Sequence, residues 1–390
     1  MHIAWLGKKT PFCGNVTYGR EITNALLERG HRVTFLHFAA AEGDAEAAAG
    51  YEEVSLPFIF KSQMGTIPAL RSRRILEDTL KALNPDLVHA SLTLSLLDFK
   101  LPEICQELGI PLVATFHPPF DHRRRNLTSS TQHLTYQIYA PALARYEKVI
   151  VFSQLQRDLL VKLGVAPTRL AVIPNGVDPY KYAPGPSHIK AELKADRLFV
   201  YQGRLAIEKN VESLLKGWKL ANMGPGSKLA IVGSGPLATA LKAAHGSDDS
   251  VLWMGFVAQE SRRIEILRGA DAFILPSLVE GLSLSLLEAM ACGTACVATD
   301  VGADGEVLEQ GAGIVLDTHR VAFQLQTLLP LLQDQPELTS LLGSKARQRV
   351  LERYTLSRNL TQLERLYAQI VPAKAQYFLQ RKIEQYGTAG

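Results

Sequence analysis

Cysteine is scarce: Cys13, Cys105, Cys292 and Cys296 are the only four in 390 residues. They are too few and too scattered to staple a fold. Cys292 and Cys296 lack the second pair of ligands that a structural zinc site needs, so they read as buried thiols. Excess charge is also missing. The formal net charge is only +4, which gives no support for a nucleic-acid partner, since such proteins carry a clearly basic domain. Long apolar runs are absent as well: no stretch approaches the ~20 residues of a transmembrane helix. The opening MHIAWLGKKTPF has no charged segment ahead of its short apolar run, so no signal peptide is expected. These absences leave a cytoplasmic protein, or one peripheral on the cytosolic face of a membrane. Hydrophobic residues at 47% against 21% charged describe a chain with ample material for packed cores.

What is present is a repeated alternation. Short apolar, β-branched runs occur at 2–6, 33–38, 87–90, 112–117, 148–153 and 170–174, and again at 198–202, 228–232, 251–254, 272–275, 295–299 and 313–316. Several are apolar throughout, as strands of a parallel sheet covered on both faces should be. Helical patterns lie between them, for instance at 18–29, 73–83 and 154–163; in the last, Leu155, Leu159, Leu160 and Leu163 share one expected face. Two such series predict an α/β protein with two doubly wound, Rossmann-like domains. DPYKYAPGPS at 178–187 reads as the linker between them. The expected division is 1–183, 184–365, and a helical tail over 366–390 that packs back on the first domain.

In open α/β sheets ligands bind beyond the carboxyl ends of the strands, so the residues that follow strands carry the information. GKKTPFCGN (7–15) follows the first. Gly14 would let the backbone approach a bound group and Asn15 opens a helix whose amides favour an anion; a tight strand-to-helix turn explains the segment equally well. YQGRLAIEKN (201–210) sets Gly203, Arg204 and Lys209 around a loop opening a helix, which suits a diphosphate, the alternative being a solvated charged loop. IVGSGPL places Gly233 after a strand, a weak signal alone. The richest segment is PSLVEGLSLSLLEAMACGTACVATDVG (276–302), in which seven residues separate Glu280 from Glu288. With a helix starting near Leu282, Glu280 lies in the preceding loop and Glu288 in the second turn. Too far apart for one acid–base dyad, the two can reach different parts of an extended ligand. Paired carboxylates also occur in glycoside hydrolysis, but the adjoining anion-binding features weigh against it.

Taken together, TFHPP (115–119), VFSQ (151–154), VIPNGVD (172–178), YQGRLAIEKN, VGSGPL and the Glu-x7-Glu block resemble, in order and spacing, the family-four glycosyltransferases of the GT-B fold, over most of the chain. The resemblance implies two domains facing a cleft and transfer of a hexose with retention of configuration, without a metal and without a cofactor beyond the nucleotide-sugar donor. It implies that Arg204 and Lys209 hold the donor diphosphate, that Glu280 accepts from hydroxyls of the transferred sugar with the amides of Gly281, Leu282, Ser283 and Leu284 at the diphosphate, and that Glu288 accepts from the ribose. Gly14, Asn15, Gly203, Gly233 and Val257 complete the implied donor set. His117 would stand by the sugar, a satisfied structural histidine being the plainer reading. The chain departs from the family where Ser283 and Ser285 replace Gly and Pro, and where CGNVTYGRE replaces a GGxE pattern.

Two segments bear on the acceptor. LPFIFKSQMGTIPALRSRR (56–74) mixes apolar residues with Arg71, Arg73 and Arg74, and FDHRRRNLTSSTQHLTYQIY (120–139) sets Arg123, Arg124 and Arg125 before an apolar stretch, with Phe116, Phe120, Leu127 and Leu134 nearby. Both suit an anionic membrane surface, or else a solvated loop and a core helix. The run from Gly7 to His31 is similar to digalactosyldiacylglycerol synthases of the cyanobacterial type, which implies UDP-galactose as donor and a galactolipid as acceptor. A soluble or polysaccharide-precursor acceptor, a same-fold epimerase, and a non-catalytic sugar-nucleotide-binding protein are the alternatives.

Overall fold

The computed structural model describes residues 1–10, 14–38, 52–62, 65–92, 94–120, 127–371 and 385–386, with the side chains of 127–131 excepted. Cys13 and Arg123, Arg124 and Arg125 fall outside the described residues. The chain forms two compact units: Met1–Pro118, Thr131–Asn175 and Ser357–Gly390 make the first, Pro119–Ser130 and Gly176–Leu356 the second. Among the described residues no helix is long and apolar enough to cross a membrane.

The first unit is built on a seven-stranded parallel sheet. Its strands are β1 (His2–Gly7), β2 (Arg32–Phe38), β3 (Glu52–Leu56), β6 (Leu87–Ser91), β7 (Leu112–Thr115), β8 (Lys148–Val151) and β9 (Leu170–Val172), in the order β3-β2-β1-β6-β7-β8-β9. Register is continuous: Ile3 lies opposite Val33 on one side and Leu87 on the other. The side chains of β1, β6 and β7 are buried almost without exception, because helices cover both faces. β3 has no counterpart among the expected strands. Its sequence EEVSL is an edge strand exposed over most of its length, so it lacks the apolar run that marks the central ones.

Between β3 and β6 the chain makes a two-stranded antiparallel hairpin, β4 (Phe58–Lys61) and β5 (Thr66–Pro68). It leaves Ile59 70%, Phe60 57% and Leu70 98% exposed, with Ile67 also at the surface. Arg71 immediately precedes the following helix, Ser72–Leu83, makes no capping bond from its side chain, and is exposed. Arg73 is engaged by Glu77 (2.7 Å) and Glu103 (3.0 Å), which sets it apart from Arg74, whose side chain is largely exposed and 3.7 Å from Asp78.

In the helix Gln154–Lys162 the expected leucine face holds in part: Leu160 is buried and Leu159 and Leu163 are half-buried, but Leu155 is exposed and Gln156 is buried in its stead. Gln156 faces inward because its amide has three partners there: it accepts from Phe152 N (2.9 Å) and donates to Phe116 O (3.1 Å) and the Tyr136 hydroxyl (2.8 Å). A fully bonded amide loses nothing by burial. Phe116 and Phe120 are themselves buried, so they are not part of any exposed apolar surface, whereas Leu134 is exposed.

The second unit carries a six-stranded parallel sheet of β10 (Arg197–Gln202), β11 (Ser227–Val232), β12 (Val251–Gly255), β13 (Ala272–Leu275), β14 (Ala295–Thr299) and β15 (Ile314–Leu316), in the order β12-β11-β10-β13-β14-β15. Cys292 and Cys296 are free and buried here, as Cys105 is in the first unit, and burial pushes all three thiols up from their ordinary value.

The stretch 178–187 is no loose linker. The first unit ends at Asn175, and 178–187 is strapped to the second. Arg347 donates to the Pro179 and Tyr182 carbonyls (both 3.2 Å), Arg268 to the Ala183 carbonyl (2.7 Å), and the Tyr182 hydroxyl to Glu260 (3.0 Å). Carbonyls of a Pro-rich stretch have no strand partner, and guanidinium forks supply one. The return crossing comes at Leu356–Ser357, earlier than the expected tail, because the helix Leu356–Ala368 is tied into the first unit by a buried ion pair.

Candidate active site

In each sheet the chain first builds outward to one side and then returns to the other, leaving a switch point where ligands of such folds bind. It falls between β1 and β6 in the first unit, and between β10 and β13 in the second.

At the second switch point the loops after β10 and β13 meet. Lys209 Nζ lies 2.5 Å from Glu280 Oε1, and Ser277 Oγ donates to the same oxygen at 2.7 Å. The loops are stitched together by the backbone: Leu278 N donates to Glu208 O (2.8 Å), and Asn210 Nδ2 to Pro276 O (3.1 Å). Arg204 is paired with Glu208, and its carbonyl accepts from the buried Tyr201 hydroxyl at 2.8 Å. Both cations expected at a diphosphate therefore lie on the loop after β10, each paired with a carboxylate, Arg204 with Glu208 and Lys209 with Glu280. Gly203 and Gly233 serve close approach. Gly233 has φ +138°, and a Cβ there would fall 1.9 Å from the Gly203 carbonyl oxygen. Gly14 differs: a Cβ there would meet nothing.

The helix Leu284–Ala291 starts later than the sequence suggests, since Ser283 is its cap and bonds Leu286 N at 3.3 Å. Ser283 sits where the family often has glycine. Its amide is not open to phosphate, because it donates to Asp304 Oδ1 at 2.9 Å. Asp304 was not anticipated from the sequence; nothing in VGADGE marks it. It is fully buried, Oδ2 has no partner, and burial together with the Glu280 charge pushes its carboxyl well up from the ordinary value. Gly281 O accepts from Ala303 N (2.7 Å), which brings the loop after β14 beneath the Glu280 turn. Phe120 N donates to Glu280 O (3.0 Å), adding a backbone tie on another side.

Glu288 projects from the second turn of the same helix and is buried. Gln202 Nε2 donates to it at 3.0 Å. Burial pushes its carboxyl up to about 7, against the pull of Arg263 and of the hydrogen bond from Gln202. Arg263 is held by the carbonyls of Val257 (2.9 Å) and Ala258 (2.8 Å).

At the first switch point stand Asn15, Ser91 and His117. The side chain of Asn15 is taken up by protein: Nδ2 donates to Leu92 O (3.2 Å) and Oδ1 accepts from Ser91 Oγ (2.8 Å). His117 Nε2 meets Ser91 Oγ at 2.8 Å, and burial with Lys8 nearby pulls the imidazole down to about 3. Ser91, a serine at the end of an apolar strand, carries no distinctive signal in the sequence. Among the described residues no group of three or more His, Cys, Asp or Glu is placed to hold a metal ion.

Comparison with known proteins agrees with this anatomy. A sequence profile described as "Glycosyltransferase Family 4" matches residues 14–181, and one described as "Glycosyl transferases group 1" matches residues 187–349. The chain belongs to the family-four glycosyltransferases. It is 27% identical over 58% of its length to a UDP-Gal:alpha-D-GlcNAc-diphosphoundecaprenol alpha-1,3-galactosyltransferase of Escherichia coli, spanning 61% of that protein. It is 26% identical over 67% of its length to an alpha-maltose-1-phosphate synthase of Mycolicibacterium smegmatis, spanning 74%. Among solved structures it is similar to Anabaena HepE in complex with UDP-glucose, with a TM-score of 0.75 and 19% identity over 94% of this chain and 99% of the other, a likeness of fold. The fold is thus GT-B, with two Rossmann-like parallel sheets.

Proposed function

We propose that this protein is a retaining glycosyltransferase that moves a hexose from a nucleotide sugar to a membrane glycolipid, with UDP-galactose as donor and a galactolipid as acceptor, forming digalactosyldiacylglycerol. The observation that carries the transferase reading is the contact of Lys209 with Glu280 where the loops after β10 and β13 meet, with Arg204 on the first loop and the buried Glu288 in the helix that follows the second. In the proposed reaction the diphosphate takes the cations from their carboxylates, and Glu280, released from Lys209, accepts from sugar hydroxyls. Glu288 accepts from the ribose. The bond from C1 of the sugar to the leaving phosphate oxygen breaks as the acceptor oxygen adds on the same face, and the acceptor proton passes to that phosphate oxygen. Two cations can offset the charge of the departing nucleotide, so no metal is invoked.

The lipid acceptor has separate support. A relative uses a diphosphoundecaprenol-linked acceptor by its name, and the β4–β5 hairpin exposes Ile59, Phe60, Ile67 and Leu70 beside Arg71 and Arg74. Apolar side chains rimmed by basic ones suit peripheral attachment to an anionic cytosolic leaflet.

The test is donor turnover over a panel of UDP-, GDP- and ADP-sugars with galactolipid, polyprenyl-diphosphate sugars and soluble acceptors. Galactosyl transfer to galactolipid, undiminished by EDTA, is expected. Lys209→Ala and Glu280→Gln should each lower turnover by about 100-fold or more. Transfer to soluble acceptors alone would overturn the lipid reading; binding without turnover would make this a sugar-nucleotide-binding protein.

A further inference from the structure

The polar chain at the first switch point has a direction. Asn15 Nδ2 donates to the Leu92 carbonyl at 3.2 Å, which leaves Oδ1 as the atom facing Ser91; the flipped amide would set two acceptors against each other. Ser91 Oγ therefore gives its one proton to Asn15 Oδ1 at 2.8 Å. Toward His117 Nε2, also at 2.8 Å, the same hydroxyl can only accept. The imidazole is neutral at ordinary pH, since burial and Lys8 hold it far below its usual range, so it has a single N–H, and that N–H is on Nε2. Nδ1 keeps its lone pair, and no hydrogen bond to it is formed among the described residues. The ring is clamped by aromatic neighbours, Tyr18 edge-on with centroids 4.9 Å apart and Phe152 at 5.3 Å.

We propose that Ser91 and Asn15 are positioning residues that lock His117 as the Nε2–H tautomer, so that Nδ1 is offered as a hydrogen-bond acceptor to a hydroxyl of the sugar substrate. The identity of the ligand rests on the glycosyltransferase reading; the lock does not. Ser91 ends β6 and His117 follows β7 by two residues, so these two are set side by side by paired neighbouring strands, while Asn15 stands in the first turn of the helix Gly14–Glu28. Removing Asn15 would free the Ser91 hydroxyl to donate to Nε2 and so admit the Nδ1–H tautomer, which turns the acceptor into a donor.

The experiment is 15N NMR of the full-length protein with labelled histidine, alongside steady-state kinetics, for wild type, Asn15→Ala, Ser91→Ala and Ser91→Thr. In wild type the His117 signals should show a protonated Nε2 and a bare Nδ1. In Asn15→Ala and Ser91→Ala the two nitrogens should move toward each other as tautomers mix, with kcat/KM down about five- to tenfold and thermal midpoints showing a folded chain. Ser91→Thr, which keeps a hydroxyl, should restore both. A wild-type Nδ1–H signal, unchanged tautomers in both alanine variants, or mixed tautomers with wild-type kcat/KM would each overturn the proposal. Should the wild type transfer no sugar to any acceptor, the glycosyltransferase reading falls, while the nitrogen signals still decide the lock.

Discussion

Glu288 shows how burial alone can give a carboxylate a pH dependence near neutrality. Its ordinary value is 4.5 and its folded value about 7. Between these limits the unfolded chain has released the proton that the folded one keeps, so unfolding releases a proton and rising pH favours it. The stability cost therefore grows from pH 4.5 to 7 and stays at its full value above, at about 3 kcal/mol by linkage. Glu288→Gln removes the ionisation. It should match wild type near pH 4.5 and exceed it in denaturant midpoint by a margin that widens up to pH 7 and then levels off. A margin independent of pH would show that Glu288 ionises normally in the fold. Asp304 works by the same physics: desolvation and the neighbouring Glu280 carboxylate favour its acid form, and its Oδ1 accepts from the Ser283 amide.

At the scale of elements, the return helix Leu356–Ala368 is held by charge as much as by apolar packing. Glu364 is fully buried and receives Arg29 Nη1 at 2.6 Å and His31 Nε2 at 3.0 Å, while Arg29 Nη2 donates to the Ser357 carbonyl at 3.0 Å. Further along the helix the Tyr367 hydroxyl meets His89 Nδ1 at 2.5 Å. Arg29 also lies 4.8 Å from the Tyr386 ring centroid. Breaking a buried pair leaves a lone buried charge, which costs about 3–5 kcal/mol. Glu364→Gln should destabilise the first unit by roughly that amount in chemical denaturation and raise amide exchange in this helix, whereas the double change Arg29→Met with Glu364→Leu should recover most of the loss. Equal stability for Glu364→Gln and wild type would mean that the pair contributes nothing net.

At the scale of the whole molecule, the proposed membrane attachment rests on the hairpin of β4 and β5 and on Arg71 and Arg74. Phe60→Ser with Leu70→Ser should reduce cosedimentation with anionic vesicles, and added salt should weaken the wild type further because exposed charges are screened within about 8–10 Å. Substitution of Arg123, Arg124 and Arg125 by Ser asks the same of a segment outside the described residues. Donor affinity should stay unchanged in the Phe60 and Leu70 variant, since the hairpin belongs to the first unit and the proposed diphosphate ligands to the second. Wild-type protein that ignores anionic vesicles at low salt would remove the membrane from the proposal.

The α/β class, the central strands and the cluster of Arg204, Lys209, Glu280 and Glu288 were legible in the residues themselves. Doubly covered parallel strands must be apolar runs, and ligand groups of such sheets must follow the strands in sequence, so both leave local marks. Partners distant in sequence leave none. Ser283 bonded to Asp304, Asn15 directed through Ser91 to His117, Gln156 turned inward, and Arg347 and Arg268 strapping 178–187 all depend on which loops the strand order brings side by side. A hydrogen bond is satisfied by whatever lies within 3 Å or so, and that neighbour is chosen by the tertiary fold. The sequence by itself determined that charged groups and glycines would follow the strands; only the packing decided which partners they meet.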